Sequence, residues 1–335
     1  MEITLNTTLD SLRDSELGYM FDRLLSCAES PCDFNSTLTI AQVHDCVPTW
    51  NAEDMLNGLH RAQELTRKGV KMLYPLYSEE EIARDPLLGQ VCLIHMPAER
   101  RTHKTFVLIL AGGGYHSVCT LSEGLPVAAY LNAQGYDCFC LNYRTKKDGY
   151  YADGLLPRPY DDIAAALRFI EANASGFALD INNYAIGGFS AGGHAVSMWG
   201  CENHGARHYG LPQPRVILDC YPVISMKYYI ERTPDSMFGV MLGADCPEEK
   251  IAEYDPAQNV DSGYPPVYCV KAVDDNVVLY EDTVAFQDAL NKAGVRNCFE
   301  FAPKGGHGFG NGGGTEFLGW TKRGLDFVGR LRRAL

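Results

Sequence analysis

The stretch Tyr184-Ala185-Ile186-Gly187-Gly188-Phe189-Ser190-Ala191-Gly192-Gly193-His194 decides how this chain is read. Tyr184 to Ile186 has the composition of a strand, and Ala191 to Trp199 that of a helix. Between them lies a Gly-x-Ser-x-Gly run, in which small residues permit a sharp strand-to-helix turn that exposes the Ser190 hydroxyl. A tight turn carrying an ordinary serine is the bland alternative. Ser190 is therefore a candidate nucleophile, and the neighbouring sequence must supply its base, its orienting acid and an oxyanion site.

Working outward, strand-like runs alternate with helical patterns from about residue 90, as expected of a mostly parallel α/β sheet with crossover helices. The wholly apolar run Phe106 to Ala111 reads as an interior strand. Further strands are expected at Val91 to His95, Cys138 to Tyr143, Val216 to Cys220, Val267 to Val270 and Cys298 to Phe301. Helices are expected near 121–133, around Ile163 to Ile170, near 281–293 and over 316–333. These elements place one large domain over 86–335.

Two regions stand apart. Residues 1–85 form a partly helical N-terminal extension in which Met55, Leu56, Leu59, Ala62 and Leu65 make one face of a helix over 52–67. It is expected to pack into the core, with covering of the active-site entrance as the other reading. Residues 223–262 carry Met226, Tyr228, Tyr229, Met237, Phe238 and Met241, then Glu248, Glu249 and Glu253. They form either a lid insertion or a helix and loop packed on the domain.

A serine hydroxyl needs a base to take its proton, and that imidazole needs an acceptor to hold its tautomer. Downstream of Ser190, Asp275 follows the strand at 267–270, and His307 sits in Gly305-Gly306-His307-Gly308-Phe309-Gly310, whose glycines suit a loop. Asp275 is preferred to Asp274 because it lies farther into the post-strand loop, leaving Asp274 to cap or brace it. For the oxyanion, Gly112-Gly113-Gly114 follows the apolar strand, so the candidate donors are the amides of Gly113 and Gly114, joined by that of Ala191. The run lacks both phosphate-loop and dinucleotide fingerprints. Tyr115 and His116 are candidates for lining the acyl pocket, although Tyr115 could instead pack beneath the loop. His194, four residues beyond Ser190, reads as a structural hydrogen-bonding residue.

Composition narrows the classes. Lys and Arg number 29 against 42 Asp and Glu, a formal charge of -13, which argues against a nucleic-acid partner. No secretory signal is visible at Met1 to Leu5 and no apolar run is long enough to span a bilayer, so a cytoplasmic protein without membrane insertion is expected. The 12 cysteines contain no CxxC pair. Cys138, Cys140, Cys220 and Cys269 read as buried hydrophobes in a reducing compartment. No metal and no organic cofactor is required, and oligomerisation stays open.

With these motifs in place, residues 90–335 resemble the α/β-hydrolase superfamily, in particular bacterial esterases and lipases similar to hormone-sensitive lipase and to acetyl-xylan or kynurenine-formamidase-like esterases. The resemblance rests on Gly112-Gly113-Gly114, on Gly188 to His194, on Asp275 before Val277-Val278, and on His307 before Gly308-Phe309. It implies an eight-stranded, mostly parallel sheet and ester hydrolysis through an acyl-enzyme. Ala111 stands where the family commonly has a histidine, which points away from the lipase subgroup. The expected function is a serine carboxylesterase acting on a small-molecule acyl ester of short chain, with acetylated sugars suggested by the resemblance. A peptidase or amidase of the same fold, and a non-enzymatic binding protein on a hydrolase scaffold, are the competing readings.

Overall fold

The computed structural model describes residues 1–24, 37–147, 149–225, 228, 233 and 236–329, and of Glu248 the backbone alone. Met226 and Tyr229 of the expected lid, and positions 330–333 of the expected last helix, lie outside the described residues.

Eight strands form one sheet: β1 Leu73–Pro75, β2 Cys92–Met96, β3 Phe106–Leu110, β4 Cys138–Asn142, β5 Tyr184–Phe189, β6 Ile217–Cys220, β7 Val267–Ala272 and β8 Asn297–Ala302. Their order is β1-β2-β4-β3-β5-β6-β7-β8. β2 runs antiparallel to both its neighbours, and every pairing from β4 to β8 is parallel. Strands β2 to β7 are buried along their whole length, which explains why they read as continuous apolar runs rather than alternating ones. β8, at the edge, is only partly covered.

The longer helices are α1 Ala52–Arg67, before β1; α2 Leu125–Ala133, α3 Arg158–Ala172, α4 Ala191–Gly200 and α5 Tyr280–Lys292, in the crossover segments; and α6 Trp320–Gly329, after β8. The helix expected near 121–133 begins as a π turn over Thr120–Gly124, which holds Glu123 in the interior. Asn51 caps α1 by accepting the amide of Asp54 at 3.0 Å.

One element had no signal of its own. β1 lies inside the segment read as a helical extension, and three residues are too few to show a period. The extension also shares its interior with the sheet: Leu9, Leu12, Leu17, Met20 and Phe21 belong to the same apolar core as Met55, Leu59, Ile94 and Leu108. In the region of the expected lid, Met237–Leu242 is a short helix with Phe238, Val240 and Met241 buried. The carbonyls of Val240 and Met241 accept the amides of Leu155 and Leu156 at 2.9 and 3.0 Å. Among the described residues no helix is long and apolar enough to cross a membrane.

Candidate active site

Four loops meet at the C-terminal ends of β3, β5, β7 and β8, the edge at which open α/β sheets place their sites. Ser190 stands between β5 and α4 with φ 50° and ψ −116°, a backbone conformation that costs energy in a residue with a Cβ. Its amide donates to the Cys220 carbonyl at 3.1 Å, and its carbonyl accepts the amides of His194 and Val223 at 3.0 and 3.2 Å. The residue occupies the position where a serine ordinarily caps the helix, yet its side chain makes no capping bond. The hydroxyl is thereby released toward His307.

The flanking glycines are required by close approach. A Cβ on Gly188 would sit 2.3 Å from the Gly192 carbonyl oxygen, and one on Gly192 would sit 2.3 Å from the Leu110 carbonyl oxygen. Both distances lie far inside van der Waals contact, so the turn admits no larger residue at either position.

Ser190 Oγ lies 2.9 Å from His307 Nε2, and His307 Nδ1 lies 2.8 Å from Asp275 Oδ2. In the tautomer whose Nδ1–H donates to the carboxylate, Nε2 can accept a hydrogen bond from the Ser190 hydroxyl. The other Asp275 oxygen accepts the amides of Val277 and Val278 at 2.9 and 3.0 Å. Burial pushes the Asp275 pKa upward, but the His307 hydrogen bond and the positive charge of Lys271 outweigh it and hold the carboxyl below its ordinary value. Asp274 faces elsewhere. It accepts the Gly306 amide at 2.8 Å and pairs with Lys304 at 3.5 Å, so it braces the loop that carries the histidine.

The glycine loop also takes shape around a residue that sequence reasoning passed over. Glu123 is buried, and its carboxylate accepts the Gly112 amide at 2.5 Å and the Tyr221 hydroxyl at 2.8 Å. The Tyr221 oxygen accepts the Gly310 amide at 2.9 Å, which ties the glycine loop to the histidine loop. Burial raises the Glu123 pKa against the pull of these donors. Gly113 and Gly114 follow with φ of 128° and 61°, and neither amide donates to another group among the described residues. The Ala191 amide, first in α4, has no acceptor within its own helix.

Tyr115 is fully buried, and its hydroxyl lies 2.9 Å from His194 Nδ1. His194 Nε2 donates to the Tyr254 carbonyl at 2.8 Å, so Nδ1 accepts from the tyrosine. Burial pulls the His194 pKa down to about 4 against that carbonyl, which keeps the ring neutral and structural. Tyr115 thus packs beneath the loop, and His116 is half-buried beside Gly114.

Lys271 and Thr49 are further residues that sequence reasoning missed. Lys271 ends the apolar run of β7 and is entirely buried against Asp275. The expected strand stopped at Val270 and β7 runs on to Ala272; a lysine following directly on an apolar run was the available signal. Thr49 donates its hydroxyl to the His307 carbonyl at 2.5 Å. Trp50 is buried beside Gly308, and α6 contributes Trp320, whose indole donates to the Gly310 carbonyl at 2.9 Å. Nothing in residues 1–85 marked Thr49, because its partner is 258 positions away.

The sheet order, with loops converging at the carboxyl ends of its parallel strands, defines an α/β hydrolase of the esterase, lipase and carbohydrate-esterase group. Residues 93–290 match the BD-FAE family model, and the chain belongs to that family. Among curated proteins it is 28% identical over 221 residues to "Endo-1,4-beta-xylanase B" of Butyrivibrio fibrisolvens, covering 64% of this chain and 34% of that protein. It is 29% identical over 206 residues to "Acetylxylan esterase" of Xylanibacter ruminicola, covering 60% and 40%. The chain thus spans only a third to two fifths of the length of these relatives. A solved structure of an acetyl ester-xyloside bifunctional hydrolase from Caldicellulosiruptor lactoaceticus superposes with a TM-score of 0.65 at 26% identity, over 77% of this chain and 96% of that one.

Proposed function

We propose that this protein is a serine-dependent carboxylesterase that removes short acyl groups, acetyl foremost, from hydroxyls of sugars such as xylose units. The observation that carries the reading is the hydrogen-bonded line Ser190 Oγ–His307 Nε2, His307 Nδ1–Asp275 Oδ2. The choice of acyl and alcohol is supported by relatives named for acetylxylan and for acetyl ester and xyloside hydrolysis.

In the proposed reaction His307 Nε2 takes the Ser190 proton as Oγ attacks the acyl carbon, and Asp275 steadies the imidazolium. The carbonyl oxygen, now an oxyanion, is met by the amides of Gly113, Gly114 and Ala191 at the positive end of α4. His307 returns the proton to the leaving alkoxide, which departs as the alcohol. Water then enters, loses a proton to His307 and attacks the acyl-enzyme. The carboxylic acid leaves as the proton goes back to Ser190. No step needs a metal or an organic cofactor.

The test is Ser190→Ala in the full chain, with an activated acetyl ester, acetylated xylo-oligosaccharides and aminoacyl amides assayed in parallel. Wild-type protein should give a burst and turnover on the acetyl esters. The variant should keep its melting temperature and lose the burst. A normal burst in the variant, or wild-type turnover confined to the amides, would overturn the proposal.

A further inference from the structure

A lysine with no solvent contact is costly unless it is paired, because its charge must leave water. Lys271, on β7, is such a residue, and its ammonium pairs with Asp275. It donates to Asp275 Oδ2 at 2.6 Å and to the Val278 carbonyl. That carboxylate oxygen is the one that also receives His307 Nδ1. Two donors therefore converge on one acceptor, while Oδ1 is taken up by two backbone amides.

We propose that Lys271 is a positioning residue of the active site, sharing Asp275 Oδ2 with His307 and limiting how strongly the carboxylate holds the imidazolium. The proposal rests on the serine-hydrolase reading above. At rest the Lys271–Asp275–His307 group is neutral overall; without the lysine it would carry one negative charge. An uncompensated carboxylate favours a protonated imidazole, and a protonated His307 cannot accept the Ser190 proton. Lys271 thus extends the working range of the base toward acid pH. It also fixes the loop turn, since it bridges the carboxylate and the Val278 carbonyl.

Other charges facing the group do not substitute for it. Asp282 on α5 acts on Lys271 from behind, and Glu123 faces His307 from the glycine-loop side. Both are acids, and neither can offset the carboxylate. Cys269, also on β7, is fully buried with its thiol pushed well up, so it stays neutral. Lys304, the nearby exposed cation, is engaged with Asp274. Burial lowers the Lys271 pKa against the opposing pull of Asp275.

The experiment follows phosphonylation of Ser190 by a small fluorophosphonate from pH 4 to 9 in wild type, Lys271→Met and Lys271→Gln. The His307 ring is titrated by 15N NMR in the same proteins. Both variants should move the acid limb of labelling, and the ring titration with it, upward by roughly half to one pH unit. Labelling near pH 5 should slow by about 3- to 10-fold, and Lys271→Gln, which keeps a donor, should retain the faster plateau. An unmoved limb and ring titration in folded variants overturn the inference. Failure of the wild type to label, with the ring titration still displaced, would sink the hydrolase reading while leaving the coupling intact. If neither variant folds, 13Cε NMR of wild-type lysines decides. A Lys271 ammonium that stays charged across the acid limb supports the role, and a neutral amine there overturns it.

Discussion

Two adjacent carboxylates, Asp274 and Asp275, differ in what reaches them. Asp275 is 5% exposed and receives four donors, one of them the imidazole, whereas Asp274 lies at the surface and holds a backbone amide. Replacing Asp275 by Asn removes the charge that stabilises the imidazolium and leaves Lys271 without a counter-ion. The expected loss in kcat is about 10³- to 10⁴-fold on an acetyl ester, with a destabilisation of roughly 3 kcal/mol or more from the stranded ammonium. Asp274→Asn should change kcat by no more than about 3-fold, since an amide oxygen can still accept the Gly306 amide. Steady-state kinetics on the two single variants check the assignment; equal losses would reverse it.

At the level of elements, the strand-loop-helix unit around Ser190 was legible because its glycines, apolar strand and helix lie together in the chain. Strands β2 to β7 were legible because burial on both faces leaves an uninterrupted apolar record, whereas β1 was too short to show one. Glu123, Tyr221 and Thr49 were not legible, because each owes its place to partners far away in sequence. Glu123 looks like any acid at a helix start, and Thr49 like any loop threonine. Their contacts make the histidine loop a supported element: Thr49 holds the His307 carbonyl, while Tyr221 and Trp320 hold Gly310. Thr49→Val removes one of these bonds with little change in shape. It should cost about 1 kcal/mol of stability and lower kcat by about 3- to 10-fold with KM little changed, the sign of a displaced base rather than a lost binding contact. Thermal melts and steady-state kinetics would show it, and unchanged kcat would mean that the loop stands without the extension.

For the whole molecule, buried ionisable groups couple stability to pH. His95 stacks on Phe139 with ring centroids 4.4 Å apart, and burial pulls its pKa down to about 4, outweighing the attraction of Asp137. The folded state therefore keeps it neutral where the unfolded chain, with an ordinary value near 6.5, takes up a proton. Its stabilising effect is complete above pH 6.5 and is lost as pH falls toward 4, by roughly 3 kcal/mol across that window. Asp282 works in the opposite direction, because burial raises its pKa to about 7 and favours the folded state as pH falls from 7 toward 4. Comparison with His95→Phe isolates the histidine: the difference in unfolding free energy between variant and wild type should grow in the variant's favour between pH 6.5 and 4. Urea titrations at several pH values measure it, and parallel curves would refute the argument.

The Thr49–His307 bond joins positions 258 residues apart, so the site cannot be completed by any short stretch emerging from the ribosome. Thr49 must wait for its partner until the histidine loop has been made. Such non-local closure slows folding and lengthens the interval in which a nascent chain can be caught by aggregation. On the proposed mechanism fluorophosphonate labelling of Ser190 should appear only once that late contact closes, so its appearance during refolding would time the last step of assembly.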